Sequence, residues 1–278
     1  MTMNETPHLI LVTNDDGWQA RGLGAAVQAV WGLGEVRVAV PWTQQTGASR
    51  SLPSTIGGIT ETTLPVEGTT IPALIVQGTP AQTVQYALNW WCPRRPTLLV
   101  AGINQGENVG SDVTVSGTVG AAIEGACLGI PGLAISLETG TEHHFSQGEG
   151  LDFTAAIAIA RRLVALVLAH GLPAGVDVLK IDVPAGATPH TPWRLARTSR
   201  LYYWLPAPYE PDPADPTRLR APYYRNPARF QDDPDSDVTV LAAQRHVAVV
   251  PLTIDLTARQ GWEELAQTLG LSALPTVG

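Results

Sequence analysis

Asp15 and Asp16 stand side by side just before Gly17 and just after an apolar run, Leu9 to Thr13. Two adjacent carboxylates repel each other unless a cation lies between them. Oxygen ligands of this kind select a hard divalent ion such as Mg²⁺ or Mn²⁺. On the dipeptide alone a plainer reading stays open: an Asp-Asp-Gly turn whose carboxylates cap the helix that follows. A second candidate, Gly102-Ile103-Asn104-Gln105-Gly106-Glu107-Asn108-Val109-Gly110, again follows an apolar run, Thr97 to Ala101. Its glycines permit close backbone approach, and its asparagines offer neutral oxygen ligands and amide donors. The segment leads to Ser116-Gly117-Thr118 at the start of a predicted helix, where hydroxyls and free N–H groups make an anion site. Simple N-capping of residues 119–128 accounts for the same residues, and the two readings are compatible. A third stretch, Thr43-Gln44-Gln45-Thr46-Gly47-Ala48-Ser49, brings more hydroxyls behind another apolar run.

Other chemistries leave no trace. There is no G-x-S-x-G elbow and no G-x-x-x-x-G-K-[ST] loop. The six histidines, His8, His143, His144, His170, His190 and His246, lack the spacing of a metal or hydrolase motif. His143 and His144 lie in a polar stretch and read as a solvated pair. Trp42, Trp90 and Trp91 read as core or interface side chains rather than base-stacking platforms.

The elements that must position these residues follow from the apolar pattern. Leu9 to Thr13 is a strand buried on both faces, Leu23 to Trp31 a helix, and Val36 to Val40 a second strand. Strand, turn, helix and strand within about 30 residues form a βαβ unit and imply a parallel sheet. Residues 43–70 read as an active-site loop leading into short hairpin strands. Further strands are predicted over Ala73–Gln77, Thr97–Ala101, Leu133–Ser136, Val178–Val183 and His246–Leu252. Helices are predicted over Ala81–Trp91, Val119–Leu128, Phe153–His170 and Gly261–Leu269. All three candidate loops then leave the carboxyl ends of strands, where ligands bind in such sheets. Residues 184–236 are rich in proline and aromatics, with Asp-Pro at Asp212, Asp215 and Asp233. They read equally as an irregular exposed excursion or as an arm shaping the site mouth or an oligomer contact. This divides the chain into a core over 1–183 and an arm, last strand and terminal helix over 184–278, together one structural unit.

The chain has 278 residues and a net charge of −8, with Lys180 its only lysine. No basic stripe is present, which argues against a nucleic-acid duplex as partner. A small anionic substrate stays open, because a bound cation reverses the local field. The N-terminal apolar run is too short for a secretory or membrane segment, so a cytoplasmic protein with no membrane partner is expected. Cys92 and Cys127 read as free, buried thiols.

Taken together, LVTNDDG, TGAS, AGINQGENVGSDVTVSGTVGAAIEG and VPLTIDLTA, in this order from about Leu9 to about Ala258, resemble the SurE family. The resemblance implies a Rossmann-like α/β core, its mostly parallel sheet sandwiched by helices, with a smaller swapped C-terminal arm and a C-terminal helix. It implies hydrolysis of nucleoside 5′- and 3′-monophosphates with one divalent metal ion per subunit, some members also trimming short polyphosphate. It further implies dimers with exchanged C-terminal elements, so a homodimer or homotetramer is expected. By the same resemblance, the metal ligands fall on Asp15, Asp16, Thr46 and Asn104, with threonine replacing the usual serine. The phosphate-side residues fall on Asn108, Ser116, Gly117 and Thr118, and Asn14 and Gly47 beside the ligand motifs join them as substrate contacts. Asp15 or Asp16 would orient or deprotonate the attacking water; the sequence leaves open which. The chain departs from the family at Ala81-Gln82-Thr83, which replaces a usual x-Asp-Cys. It departs again at Val115, where an aromatic is usual, and at Asp182, where asparagine is. Two competing readings are a metal-dependent nucleotide-sugar transferase and a non-catalytic nucleotide-binding module on a hydrolase fold.

Overall fold

The computed structural model describes residues 7–66, 69–258 and 260–271. Its first strand, β1 (Leu9–Thr13), is buried throughout because its side chains serve two layers. Ile10 and Val12 join one core and Leu11 the other. α1 (Arg21–Val30) follows and leads to β2 (Glu35–Pro41). An antiparallel hairpin of β3 (Ile59–Val66) and β4 (Thr69–Val76) comes next. α2 (Pro80–Tyr86) ends in a widened helical turn over Ala87–Trp91, then β5 (Leu98–Gln105), α3 (Gly117–Cys127), β6 (Gly132–Leu137), α4 (Thr154–His170) and β7 (Val178–Val183) complete the core.

The chain then makes its excursion through β8 (Trp193–Leu195), β9 (Trp204–Pro206), β10 (Glu210–Pro211), β11 (Leu219–Arg220), β12 (Tyr223–Arg225) and α5 (Asp237–Ala242). It returns as β13 (Val247–Leu252), and α6 (Trp262–Leu269) follows. The main sheet has the order β3-β4-β2-β1-β5-β6-β7-β13-β8. It is parallel from β4 to β7, while β3 runs against β4 and β13 runs against β7 but parallel to the edge strand β8. α1 and α4 cover one face, and α2 and α3 the other. The expected α/β sandwich with a mostly parallel sheet is therefore what forms.

β1 and β5 are adjacent, yet the helices that follow them lie on opposite faces. Loops diverging to the two faces open a crevice at the carboxyl ends of these strands. β5 adds a local device. Its pairing with β6 shifts register between Ala101 and Asn104, a bulge that re-aims the following side chains. Gly102 sits in it at φ +128°, where a Cβ would lie 2.3 Å from the Ile135 carbonyl oxygen, so only glycine fits.

Several expectations need revision. The hairpin strands β3 and β4 are eight residues each rather than short. The segment 102–117, read as loop, continues β5 to Gln105 and contains a 3₁₀ turn over Gly110–Thr114. The excursion is not wholly irregular, because β9 pairs with β12 and β10 with β11, and α5 is an unforeseen helix capped by Ser236. Both cysteines are free, but Cys127 is exposed and Cys92 half-buried, so neither is a core thiol. Trp42 and Trp90 are exposed rather than core, and Trp42 packs against Trp18. Among the described residues no helix is long and apolar enough to cross a membrane.

Candidate active site

The turn after β1 is braced from beneath. Asn14 is fully buried and its Nδ2 donates to the Gly17 carbonyl, closing the turn that presents the two aspartates. The loop after β2 is clipped on by the Gln45 N–H, which donates to the Asp15 carbonyl. Gln44 Nε2 reaches Asp16 Oδ1 at 3.2 Å and the His144 carbonyl at 2.6 Å. The start of α3 closes the third side. The Thr118 hydroxyl donates to Asp15 Oδ1, and Ser116 caps the helix by accepting the Val119 N–H. A Cβ on Gly117 would lie 2.6 Å from Asp15 Oδ2, so the helix N-terminus presses its backbone directly on this carboxylate.

A cleft of about 290 Å³ opens over this floor. Asp15, Asp16, Thr46, Gly47, Asn104, Asn108, Ser116 and Gly117 all line it, so the three loops do converge. Asn14 and Thr118 lie beneath it instead, both fully buried, the first holding the turn and the second holding Asp15. Asn104 commits its amide nitrogen to the Gly106 carbonyl at 2.7 Å, so its carbonyl oxygen is the group left to ligate.

Charge inside this floor is costly. Burial pushes the Asp15 carboxyl up from 3.8 to about 6 against the opposing Thr118 hydrogen bond. Burial, reinforced by the Asp15 charge, drives Asp16 well above the ordinary range. Asp16 Oδ2 is also buried without a protein hydrogen-bond partner. A pair of desolvated carboxylates with an orphaned oxygen fits a hard cation, which would restore both to their charged form. Among the described residues no three or more His, Cys, Asp or Glu side chains form a group that could hold a metal ion. Neutral oxygens beside the two aspartates are offered by Thr46, Asn104, Asn108 and Ser116, which line the same cleft.

Behind Asn108 lies a charge cluster that the sequence did not announce. Lys180 is fully buried, its Nζ 2.5 Å from Asp182 Oδ2 and 3.0 Å from Asp237 Oδ2. Burial alone would lower its pKa, but the two carboxylates hold it raised. The same aspartates grip the phosphate-side loop. Asp182 Oδ1 accepts the Asn108 N–H at 2.8 Å, and Asp237 accepts the Gly110 N–H. Asp182 thus anchors the loop while facing Lys180, which gives a physical role to its departure from asparagine. Gln82, the other departure, closes a capping box with Thr79 and donates to the carbonyls of Pro53 and Thr55, both at 2.8 Å. It pins the chain just beyond the Thr46 loop, a bond no carboxylate could donate.

Of the two readings of residues 184–236, the arm that shapes the site mouth is the one that forms, though its lining residues were not named from the sequence. The excursion folds over the cleft, and Glu107 and Asp112 tie it down. Glu107 accepts the Tyr203 hydroxyl at 2.9 Å and Arg225 Nε at 2.6 Å. Asp112 accepts the N–H groups of Tyr203 and Trp204. His144 is buried, not solvated as expected. Its Nδ1 lies 2.9 Å from the Tyr223 hydroxyl, and its ring meets Trp204 edge-on at 5.1 Å. Burial lowers its pKa to about 4, so it is neutral near pH 7. The only sequence signal for this wall was the density of aromatics between 202 and 224.

The family model for "Survival protein SurE" matches residues 10–204. The chain is 39% identical over 262 residues to a "5'-nucleotidase SurE" of Thermococcus kodakarensis, covering 94% of this chain and 98% of that one. It is 34% identical over 272 residues to the protein of the same name from Methanosarcina mazei, covering 94% and 97%. The "Crystal Structure of Sure Protein from Aquifex aeolicus" superposes with a TM-score of 0.73 at 25% identity, covering 94% of this chain and 99% of that one. In sequence and in fold, the chain belongs to the SurE family.

Proposed function

We propose that this protein is a divalent-metal-dependent phosphohydrolase releasing phosphate from nucleoside 5′- and 3′-monophosphates. The observation that carries the reading is the buried Asp15–Asp16 pair, with its orphaned oxygen, at the floor of a cleft that Thr46 and Asn104 also line. The names of the curated relatives, 5′-nucleotidase, support the 5′-monophosphate part of this reading. Asp15, Asp16, Thr46 and Asn104 would hold one Mg²⁺ or Mn²⁺, which supplies Lewis-acid polarisation of the phosphoryl group and a more acidic bound water. The chain's own residues do the rest. Asp15 is fixed by Thr118 and backed by Gly117 while Asp16 is held by Gln44, and one of these two carboxylates orients the attacking water and takes its proton. Asn108, Ser116 and the α3 N-terminus face the charge that spreads over the phosphoryl oxygens. The Asp182 and Asp237 contacts keep that loop in place.

The test is direct. Chelator-treated protein is assayed for released phosphate on a panel of nucleoside monophosphates, with and without added Mn²⁺ or Mg²⁺. Metal-restored hydrolysis is the expected result. Absence of phosphate release despite nucleotide binding leaves a binding module, and sugar transfer without hydrolysis leaves a transferase.

The hydroxyl ligand has its own prediction. Thr46→Ser keeps the oxygen and is expected to keep activity, whereas Thr46→Val keeps the shape and loses the oxygen. The valine variant should need a markedly higher metal concentration for half-maximal activity. Equal metal dependence in Thr46→Val and wild type removes Thr46 from the shell.

Assembly is part of the proposal. α6 leaves Trp262, Leu265 and Leu269 exposed, an apolar stripe that the other described residues do not cover. A homodimer or tetramer that buries it, over more than about 1,000 Å² per pair, is expected. Sedimentation equilibrium across micromolar concentrations checks this, and a monomer throughout would refute it without touching the hydrolase reading.

A further inference from the structure

The two walls of the cleft differ in kind. One carries the hard oxygens of the strand-end loops. The other, from the excursion, is lined by Tyr202, Trp204, Pro206, Tyr209, Pro222 and Tyr223, and none of its lining residues is charged. The aromatic rings there divide into two sets. Trp204 is already engaged: His144 and Tyr203 meet it edge-on at 5.1 Å, and Arg225 lies over it at 5.0 Å. Tyr223 stacks on His144 and is bonded to it through its hydroxyl. These two rings are framework. Tyr202 and Tyr209 line the same cleft, are 53% and 69% exposed, and have no ring partner among the described residues. Large aromatic faces left to water beside a buried reaction centre are surfaces waiting for an apolar planar group.

We propose that Tyr202 and Tyr209 are the specificity-determining residues of this enzyme: they receive the nucleobase by stacking while the phosphate reaches the Asp15–Asp16 floor. The assignment rests on the nucleotidase reading. Stacking uses a π face that every base has, and this wall brings no charged group to read a base edge. Bases are therefore accepted broadly, and phosphate esters without a base are the ones discriminated against.

The experiment compares AMP and CMP with ribose 5-phosphate, which keeps the ester and loses the base. Wild type, Tyr202→Ala/Tyr209→Ala and Tyr202→Phe/Tyr209→Phe are assayed with saturating Mn²⁺. The alanine pair is expected to raise KM for both nucleotides on the order of tenfold or more, the loss of one to two stacked faces, with little change in kcat. Ribose 5-phosphate should show no comparable rise, and the phenylalanine pair should restore the wild-type KM for AMP. An unchanged KM for the nucleotides in the alanine pair overturns the assignment, as does an equal loss on ribose 5-phosphate. If wild type hydrolyses ribose 5-phosphate and nucleotides with the same KM, the stacking assignment fails while the phosphatase reading stands. If it hydrolyses neither, both fail together.

Discussion

Asp15→Asn and Asp16→Asn each lower turnover by on the order of 10²–10³-fold or more at saturating metal, because each removes a charge the reaction centre is built around. Stability should move the other way. The folded-state pKa of Asp15 is raised from 3.8 to about 6, so this carboxyl costs the metal-free protein nothing below pH 3.8. The cost grows as pH rises through that window and is complete above about 6. Asparagine removes it while keeping an acceptor for the Thr118 hydroxyl, a gain of up to about 3 kcal/mol at pH 8. Thermal melts of chelated protein should show both variants no less stable than wild type at pH 8, with any advantage gone near pH 4. A variant that keeps near wild-type hydrolysis does not carry a metal ligand at that position.

Lys180→Met is expected to be the most damaging single change to stability. It leaves Asp182 and Asp237 buried and facing each other with no counter-charge, a loss of about 3–5 kcal/mol. That is a large part of the roughly 5–15 kcal/mol that holds a domain folded. Asp182→Asn is the informative contrast. It leaves Lys180 and Asp237 as a one-to-one pair and retains an oxygen for the Asn108 N–H, so its cost should stay below about 1.5 kcal/mol. Urea denaturation with matched slopes distinguishes the two. If methionine at 180 costs under about 1 kcal/mol, the cluster is not held as ions in the fold.

What could be read from the sequence was what local pattern encodes. β1 announces itself because a strand covered on both faces must be apolar at every position, and Asp15–Gly17 then falls at its carboxyl end. The Asn104 loop and the α3 N-terminus are placed by the same logic. What could not be read depends on partners far along the chain. His144 sits among polar residues, and its burial comes from Tyr223, 79 positions later. Lys180 interrupts an apolar strand, and one of the two carboxylates that justify it belongs to α5, a helix hidden behind Asp-Pro punctuation. Thr118 follows the N-cap in sequence, but its hydroxyl bond to Asp15 joins residues 103 positions apart and leaves no local signal.

β7 and β13 are antiparallel neighbours, with Asp182 opposite Ala248, so the chain between them, apart from the edge strand β8, leaves the sheet and rejoins it at nearly the same place. Everything between them behaves as an insertion closed at its base. Lengthening such a segment is cheap, about 0.6 kcal/mol for each doubling, because its ends are already held together. The reacting floor belongs to the sheet and the far wall to the insertion. A change in the length and aromatic content of one segment can therefore alter which ester is admitted while leaving the groups at the floor in place.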